Sequence, residues 1–60
     1  MGEKIKALRE QVGLSQKELA AALGLDQSAV SLWERGKTAP TIGTLYRLAD
    51  ILGVKPGDLL

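Results

Sequence analysis

Four glycines divide the chain into short stretches, and each glycine directly follows residues with helical periodicity. They stand at positions 13, 24, 36 and 53. Glycine adopts the left-handed backbone conformation that ends many helices at little cost, so each position predicts a helix C-terminus. No window alternates apolar and polar residues for long enough to indicate a strand. The chain is therefore expected to be all-α, as a compact bundle of short helices.

Helix start signals alternate with these glycines. Ser15 and Glu18 form a capping-box pattern, in which the serine hydroxyl can accept from a backbone N–H while the glutamate reaches back. Asp26 and Thr41 are suited to cap helices of their own. Pro56 suits the first turn of a last helix, because a helix has no partner for an N–H at that position. Together these signals predict five helices, over residues 3–12, 16–23, 27–35, 42–52 and 56–59.

Length and composition limit what such a bundle can do. The chain has 60 residues with no cysteine and no histidine, which excludes a disulfide, a thiolate metal site and the commonest general base. One domain over residues 1–60 with one core is expected at this length. No apolar run approaches the ~20 residues of a membrane span, and the N-terminus lacks a signal-peptide pattern. We expect a soluble cytoplasmic domain with no metal and no cofactor.

Spacings of three and four residues identify the side chains expected in the core. Leu14, Leu25 and Val54 are expected to fill the joints between helices. The helices are expected to contribute Ile5, Leu8, Val12, Leu19, Ala20, Leu23, Val30, Trp33, Leu45, Leu48, Ala49 and Leu52. Gly43, near the start of the fourth helix, costs about 1 kcal/mol relative to alanine, and nothing in the sequence explains it.

The second and third helices are joined by only three residues, Gly24-Leu25-Asp26. Two helices connected by a short glycine-containing turn are typical of a helix-turn-helix unit, here over about residues 16–35. Val30 and Trp33 are expected to anchor the third helix to the core. The opposite face of that helix is then exposed, and it carries Gln27, Ser28, Ser31 and Leu32.

Residues 14–38, LSQKELAAALGLDQSAVSLWERGKT, closely resemble the helix-turn-helix DNA-binding domains of the Cro and phage-lambda-repressor type. The likeness continues through PTIGTLYRLADILGV and so covers nearly the whole chain. It consists of several motifs in one order: SQxELA, LGLxQSxVSxWERG, the Pro-Thr before the fourth helix, and LAxxLGV. The resemblance implies four or five helices with the third in the DNA major groove. It also implies a transcriptional repressor or regulator whose partner is double-stranded DNA.

The resemblance assigns roles to individual residues. Gln27 is implied to read a base, since its amide can hold adenine N6 and N7 together, and Ser28 matches a serine that reads guanine N7. Gln16 and Gln27 match two glutamines that hydrogen-bond to each other. The implied base-reading set is Gln27, Ser28, Ser31 and Leu32, and the implied phosphate contacts are Gln16, Lys17, Lys37 and Thr38.

Leu32 departs from the family pattern, which usually places Arg, Lys, Gln or a small residue at this position. A leucine cannot hydrogen-bond to a base, but it could contact a thymine methyl group. Contact with another protein and simple exposure are the alternatives.

Two further features follow from the resemblance. Arg9 and Glu34 match a family pair that forms a partly buried salt bridge between the first and third helices. Family members also pair on two DNA half-sites, so a homodimer is expected through the last two helices, with Val54, Leu59 and Leu60 as candidate contacts.

The net charge fits DNA binding least well. Eight basic and seven acidic residues give only +1, and Asp26 lies beside the expected reading helix. No combination of nucleophile, base and oxyanion donors is present, so an enzyme is not expected. The alternative to a DNA-binding domain is a protein-interaction module on the same fold, such as a toxin-binding antitoxin, or a designed, idealised helical scaffold. The near-neutral charge, the regular caps and the exposed Leu32 favour that alternative.

Overall fold

A computed structural model describes all 60 residues as four α-helices followed by one turn of 3₁₀ helix. The elements are α1 Gly2–Gln11, α2 Gln16–Leu23, α3 Gln27–Glu34, α4 Ile42–Leu52 and the 3₁₀ helix Pro56–Leu59. The all-α class is confirmed, but the fifth predicted helix is not α-helical. Four residues that begin with proline are too few for a ladder of i to i−4 hydrogen bonds, and the tighter 3₁₀ turn is the usual alternative. Every helix falls short of the length and apolar content needed to span a bilayer.

The predicted caps set the helix boundaries. Ser15 Oγ accepts from the Glu18 N–H at 2.9 Å, and Glu18 Oε1 accepts from the Ser15 N–H at 2.8 Å. The side chains of Asp26 and Thr41 accept backbone N–H bonds from the first turns of α3 and α4. These bonds satisfy donors that a helix start otherwise leaves unpaired. The starts of α2, α3 and α4 are therefore fixed by local chemistry.

The glycines that follow the helices all have positive φ angles, between 71° and 79°. The turn of the helix-turn-helix depends on Gly24, whose φ of 71° ends α2. The next residue, Leu25, donates its N–H back to the Ala20 carbonyl at 2.9 Å. Glycine tolerates this left-handed conformation without the steric cost of a Cβ, so only three residues separate α2 from α3.

The core is formed by ten buried apolar side chains, and nine of them match the predicted spacings. The tenth is Leu59, which is 0% exposed because the 3₁₀ helix folds back against the bundle. The prediction of Leu59 as a subunit contact is therefore wrong. The full set is Ile5, Leu19, Ala20, Leu23, Val30, Trp33, Leu48, Ala49, Leu52 and Leu59. Partly buried around it lie Leu8, Leu14, Ala29, Leu45, Ile51 and Val54.

Two predicted core positions are exposed instead. Val12 is 45% exposed and Leu25 is 39% exposed. Val12 lies just beyond the end of α1, so helical spacing no longer directs its side chain inward. Leu25 follows the left-handed turn at Gly24, and the reversal of the chain there leaves much of the leucine in solvent.

Helix α1 meets the end of α3 so closely that Gly2 has no space for a side chain. A Cβ on Gly2 would lie 2.3 Å from the Trp33 carbonyl oxygen and 2.9 Å from the Glu34 carbonyl oxygen. Gly43 is different, because a Cβ there would meet nothing within 4 Å. The structure therefore explains the glycine at position 2 and offers no steric reason for the one at position 43.

We predict opposite effects for alanine at these two glycines. Gly43→Ala should raise the free energy of unfolding by about 0.5–1 kcal/mol, because alanine loses less backbone entropy in a helix. Gly2→Ala should lower it by about 1–3 kcal/mol, because the end of α3 must move to admit the methyl group. Urea unfolding followed by circular dichroism measures both. A neutral Gly2→Ala would contradict the close contact between α1 and α3.

Candidate nucleic-acid interface

Helix α3 is packed on one side and open on the other. Val30 and Trp33 on the inner side are buried. Because residues one turn apart share a face of a helix, the four predicted base-reading residues form one outer surface. We call it the reading face, and it consists of Gln27 and Ser28, which are exposed, with Ser31 and Leu32, which are partly exposed.

Gln16 and Lys37, two of the four predicted phosphate-contacting residues, lie next to opposite ends of the reading face. Gln16 and Lys17 open α2, and a hydrogen bond from Gln27 to Gln16 brings the N-termini of α2 and α3 together. Lys37 follows α3 and donates its backbone N–H to the Leu32 carbonyl at 2.9 Å. The first amides of α2 have no acceptor within the helix and give its end a partial positive charge. Lys17, the residue after Gln16, and Lys37 are both exposed.

Asp26, the acidic residue beside the reading face, is engaged by Ser28. Its Oδ2 accepts from the Ser28 hydroxyl at 2.6 Å and from the Ser28 N–H at 3.0 Å. These two hydrogen bonds lower the pKa of the Asp26 carboxyl group. The predicted cap of α3 by Asp26 is confirmed, and its carboxyl group keeps a negative charge beside the reading face.

The same contact affects what Ser28 can offer to a base. Its hydroxyl proton points to Asp26, so the oxygen presents lone pairs to the outside. Guanine N7 is an acceptor. To read guanine N7, as the family resemblance implies, Ser28 must turn its hydroxyl proton away from Asp26 and toward the base.

A continuous chain of hydrogen bonds leads from α1 to the reading face. Arg9 donates to Glu34 through Nε at 2.6 Å and through Nη2 at 3.1 Å, and its Nη1 donates to the Leu14 carbonyl at 2.8 Å. Gln16 Nε2 donates to Glu34 Oε1 at 3.0 Å. Gln27 Nε2 donates to Gln16 Oε1 in a long bond of 3.5 Å. We call the series Glu34–Gln16–Gln27 the amide relay.

The ion pair that starts this chain is almost removed from water. The Arg9 side chain is 10% exposed and that of Glu34 is 4% exposed. Burial by itself would raise the pKa of Glu34, but hydrogen bonds from Arg9 and Gln16 and the Arg9 charge outweigh it, and the pKa is lowered. The pKa of Arg9 is raised, chiefly by its hydrogen bond to Glu34. Both groups are charged at neutral pH.

Sequence reasoning identified two separate pairs, Arg9 with Glu34 and Gln16 with Gln27. Both are present, but the bond from Gln16 to Glu34 that joins them was missed. The available signal was the carboxylate itself, because a buried carboxylate needs more donors than one arginine provides.

A helix-turn-helix family model matches residues 5–59. The chain belongs to this helix-turn-helix family. Among its relatives is an uncharacterised HTH-type transcriptional regulator, y4dJ of Sinorhizobium fredii, which is 42% identical over 60 residues, covering 100% of this chain and 78% of that protein. The HTH-type transcriptional regulator PuuR of Escherichia coli is 40% identical over 53 residues, covering 88% of this chain but only 29% of PuuR.

Solved structures of similar helix-turn-helix domains include two bound to DNA. The P22 c2 repressor in complex with a synthetic operator has a TM-score of 0.94 and 36% identity, covering 98% of this chain and 89% of that one. SinR in complex with DNA has a TM-score of 0.90 and 36% identity, covering 100% of both chains. Hydroxypropylphosphonic acid epoxidase from S. wedmorenis also matches, with a TM-score of 0.88 and 37% identity. That match covers 97% of this chain and only 31% of the enzyme.

We predict a pH-dependent contribution from the Arg9–Glu34 pair. Arg9→Lys replaces the two-pronged contact with a point charge and should lower the free energy of unfolding by about 1–3 kcal/mol at neutral pH. Because the folded-state pKa of Glu34 is below its ordinary 4.5, the pair stabilises the fold above that value. Its contribution is lost as the pH falls through the lowered pKa. The loss of unfolding free energy caused by Arg9→Lys should therefore become smaller in acid.

Urea unfolding at neutral and acidic pH measures this difference. Arg47→Lys is the matched control, because Arg47 is exposed, and it should behave like the parent protein at every pH. If Arg9→Lys lowers the free energy of unfolding by the same amount at neutral and acidic pH, the arginine contributes packing and not charge.

Proposed function

We propose that this chain binds double-stranded DNA in a sequence-specific manner, as the DNA-binding domain of a transcriptional repressor or regulator. Helix α3 would lie in the major groove. The observation that carries the proposal is the polar reading face, held outward by the buried Val30 and Trp33, in a fold that matches operator-bound P22 c2 repressor with a TM-score of 0.94.

The reading face would identify bases through two kinds of contact. Gln27 would pair with adenine through its amide, and Ser28 and Ser31 would add hydrogen bonds through their hydroxyls. Leu32 is partly exposed on the same face, where its methyl groups could meet a thymine methyl. These contacts would specify the sequence, whereas contacts to phosphates would fix the orientation of the domain.

The phosphate contacts would come from Lys17, Lys37, Thr38 and the start of α2 near Gln16. The small net charge of +1 gives the chain as a whole little attraction to DNA. Glu18 and Asp26 keep their negative charges as helix caps, and Glu34 is offset by Arg9. The charged contacts to phosphate would therefore depend on Lys17 and Lys37, which are exposed and form no salt bridge within the chain.

The proposal describes a binding protein and not an enzyme. The relatives y4dJ and PuuR, both named as transcriptional regulators, support this. The match to the epoxidase covers only 31% of that enzyme and so does not carry its activity over to this chain. A regulator works where the DNA is, so we expect a cytoplasmic protein that is nucleoid-associated when bound.

We further propose that two copies bind together, because one such module buries only about 600–1,000 Å² of its own surface on DNA, which is too little for tight specific binding alone. The candidate surface lies along α4 and the 3₁₀ helix. A shallow groove there includes Tyr46, Val54 and Pro56, and both Tyr46 and Leu60 are more than 60% exposed. Val54 and Leu60 remain candidate contacts, while the buried Leu59 does not.

We predict that Gln27→Ala loses discrimination at one base pair. Selection from a randomised duplex pool should give a defined sequence for the parent chain. Removing one bidentate base contact should then reduce preference at a single position by about 1–3 kcal/mol. Gln11→Ala is the matched control, because Gln11 is exposed on α1, and it should select like the parent. A Gln27→Ala variant that selects the same sequence with equal strength would refute the assignment of Gln27 to base reading.

The same binding reaction at increasing salt tests the contacts to phosphate. With roughly four neutralised phosphates, log K should fall against log salt with a slope of about −3.6. Selection of no duplex and a slope near zero would instead favour a protein-interaction module.

We predict that Leu60→Glu weakens binding to a duplex with two half-sites and leaves binding to a single half-site unchanged. The charge would disrupt the contact between two copies without touching DNA. Val12→Glu is the matched control, since Val12 is 45% exposed at the end of α1. Titrations of one-site and two-site duplexes measure the difference, and equal losses on both duplexes would exclude Leu60 from the contact between copies.

A further inference from the structure

The direction of the amide relay is fixed by Glu34. A carboxylate can only accept hydrogen bonds, and an arginine can only donate them. Because Glu34 Oε1 lies 3.0 Å from the Gln16 amide group, the nearer atom of that group must be nitrogen. The oxygen of the Gln16 amide group then faces Gln27 and accepts from its nitrogen.

This direction determines which groups Gln27 can present to a base. One N–H of its amide is used toward Gln16, so one N–H and the carbonyl oxygen remain. Adenine offers an acceptor at N7 and a donor at N6, which match that pair of groups. Guanine offers two acceptors, O6 and N7, and O6 would face the carbonyl oxygen of Gln27 without a proton between them.

We propose that Glu34 is a positioning residue for base specificity, because it sets the polarity of the relay that makes Gln27 select adenine over guanine. Glu34 acts through Gln16, since its own side chain is only 4% exposed. This inference rests on the proposed function. Besides its ion pair with Arg9, which supports the fold, Glu34 thereby has a second role in the selection of a base.

Glu34→Gln tests the polarity directly. Arg9 donates to both carboxylate oxygens, and Oε1 is the one that also accepts from Gln16. The oxygen of the new amide can therefore lie toward Arg9 Nε, or toward Arg9 Nη2 and Gln16, and each arrangement loses one bond to Arg9. In the first arrangement the Gln16 amide group must turn its nitrogen to Gln27, which would then present two N–H groups outward and match guanine. Because the polarity of the relay is no longer fixed, the preference for adenine over guanine at the base pair read by Gln27 should be lost.

The measurement is the ratio of dissociation constants for two duplexes that differ only at this base pair. The position is the one at which Gln27→Ala loses discrimination. We expect the parent chain to prefer adenine roughly tenfold, which is about 1.4 kcal/mol, and the ratio for Glu34→Gln to fall toward one. A loss of stability lowers both affinities alike, so it does not move the ratio.

Gln16→Met keeps the test decisive if Glu34→Gln does not fold. Methionine has a similar length and helix propensity but no hydrogen-bonding amide, so Gln27 could turn freely. The adenine-to-guanine ratio should fall toward one without reversing, even if a phosphate contact is also lost. Gln11→Met is the matched control and should keep the parent ratio.

Two outcomes would overturn the inference while leaving DNA binding intact. One is a parent chain that prefers guanine at this position. The other is an unchanged ratio in both Glu34→Gln and Gln16→Met while Gln27→Ala abolishes discrimination. A parent chain that selects no duplex at all would refute the proposed function and the inference with it.

Discussion

The buried ion pair between Arg9 and Glu34 is the contact on which the rest of the structure depends. It joins α1 to the last residue of α3, and Arg9 also binds the Leu14 carbonyl before α2. Such a pair is stabilising only when its remaining donors and acceptors are satisfied. Gln16 supplies the missing donor, and no buried side-chain polar atom lacks a partner. Three helices are thereby held in one arrangement around a small core.

The local features of this chain could be predicted from its sequence because each depends on residues close together. The Ser15 capping box, the caps at Asp26 and Thr41, and the glycine turns involve neighbours within about one helical turn. The same holds for the spacing of the buried residues inside helices. Prediction was wrong at Val12 and Leu25, which lie beyond helix ends, where periodicity no longer fixes the direction of a side chain.

Features that depend on tertiary contacts could not be predicted in the same way. Leu59 is buried because the 3₁₀ helix folds back onto the bundle, and no local pattern specifies that return. Gly2 is needed because α1 touches the end of α3, more than thirty residues away in sequence. The bond from Gln16 to Glu34 likewise spans two helices. The members of the proposed interface and the bond between Gln16 and Gln27 were identifiable by resemblance, but the connection of Gln16 to the buried Glu34 was not.

This connection couples two properties that small domains often keep separate. The reading face contributes no residue to the core, so Ser31 and Leu32 could change with little effect on stability. Gln27 is different, because its amide belongs to a chain of hydrogen bonds that ends in a buried charge. A carboxylate at position 34 is required by Arg9 for stability, and the same carboxylate determines which amide atoms face outward. The choice of base proposed for Gln27 is therefore constrained from inside the fold, whereas Ser31 and Leu32 are free to vary.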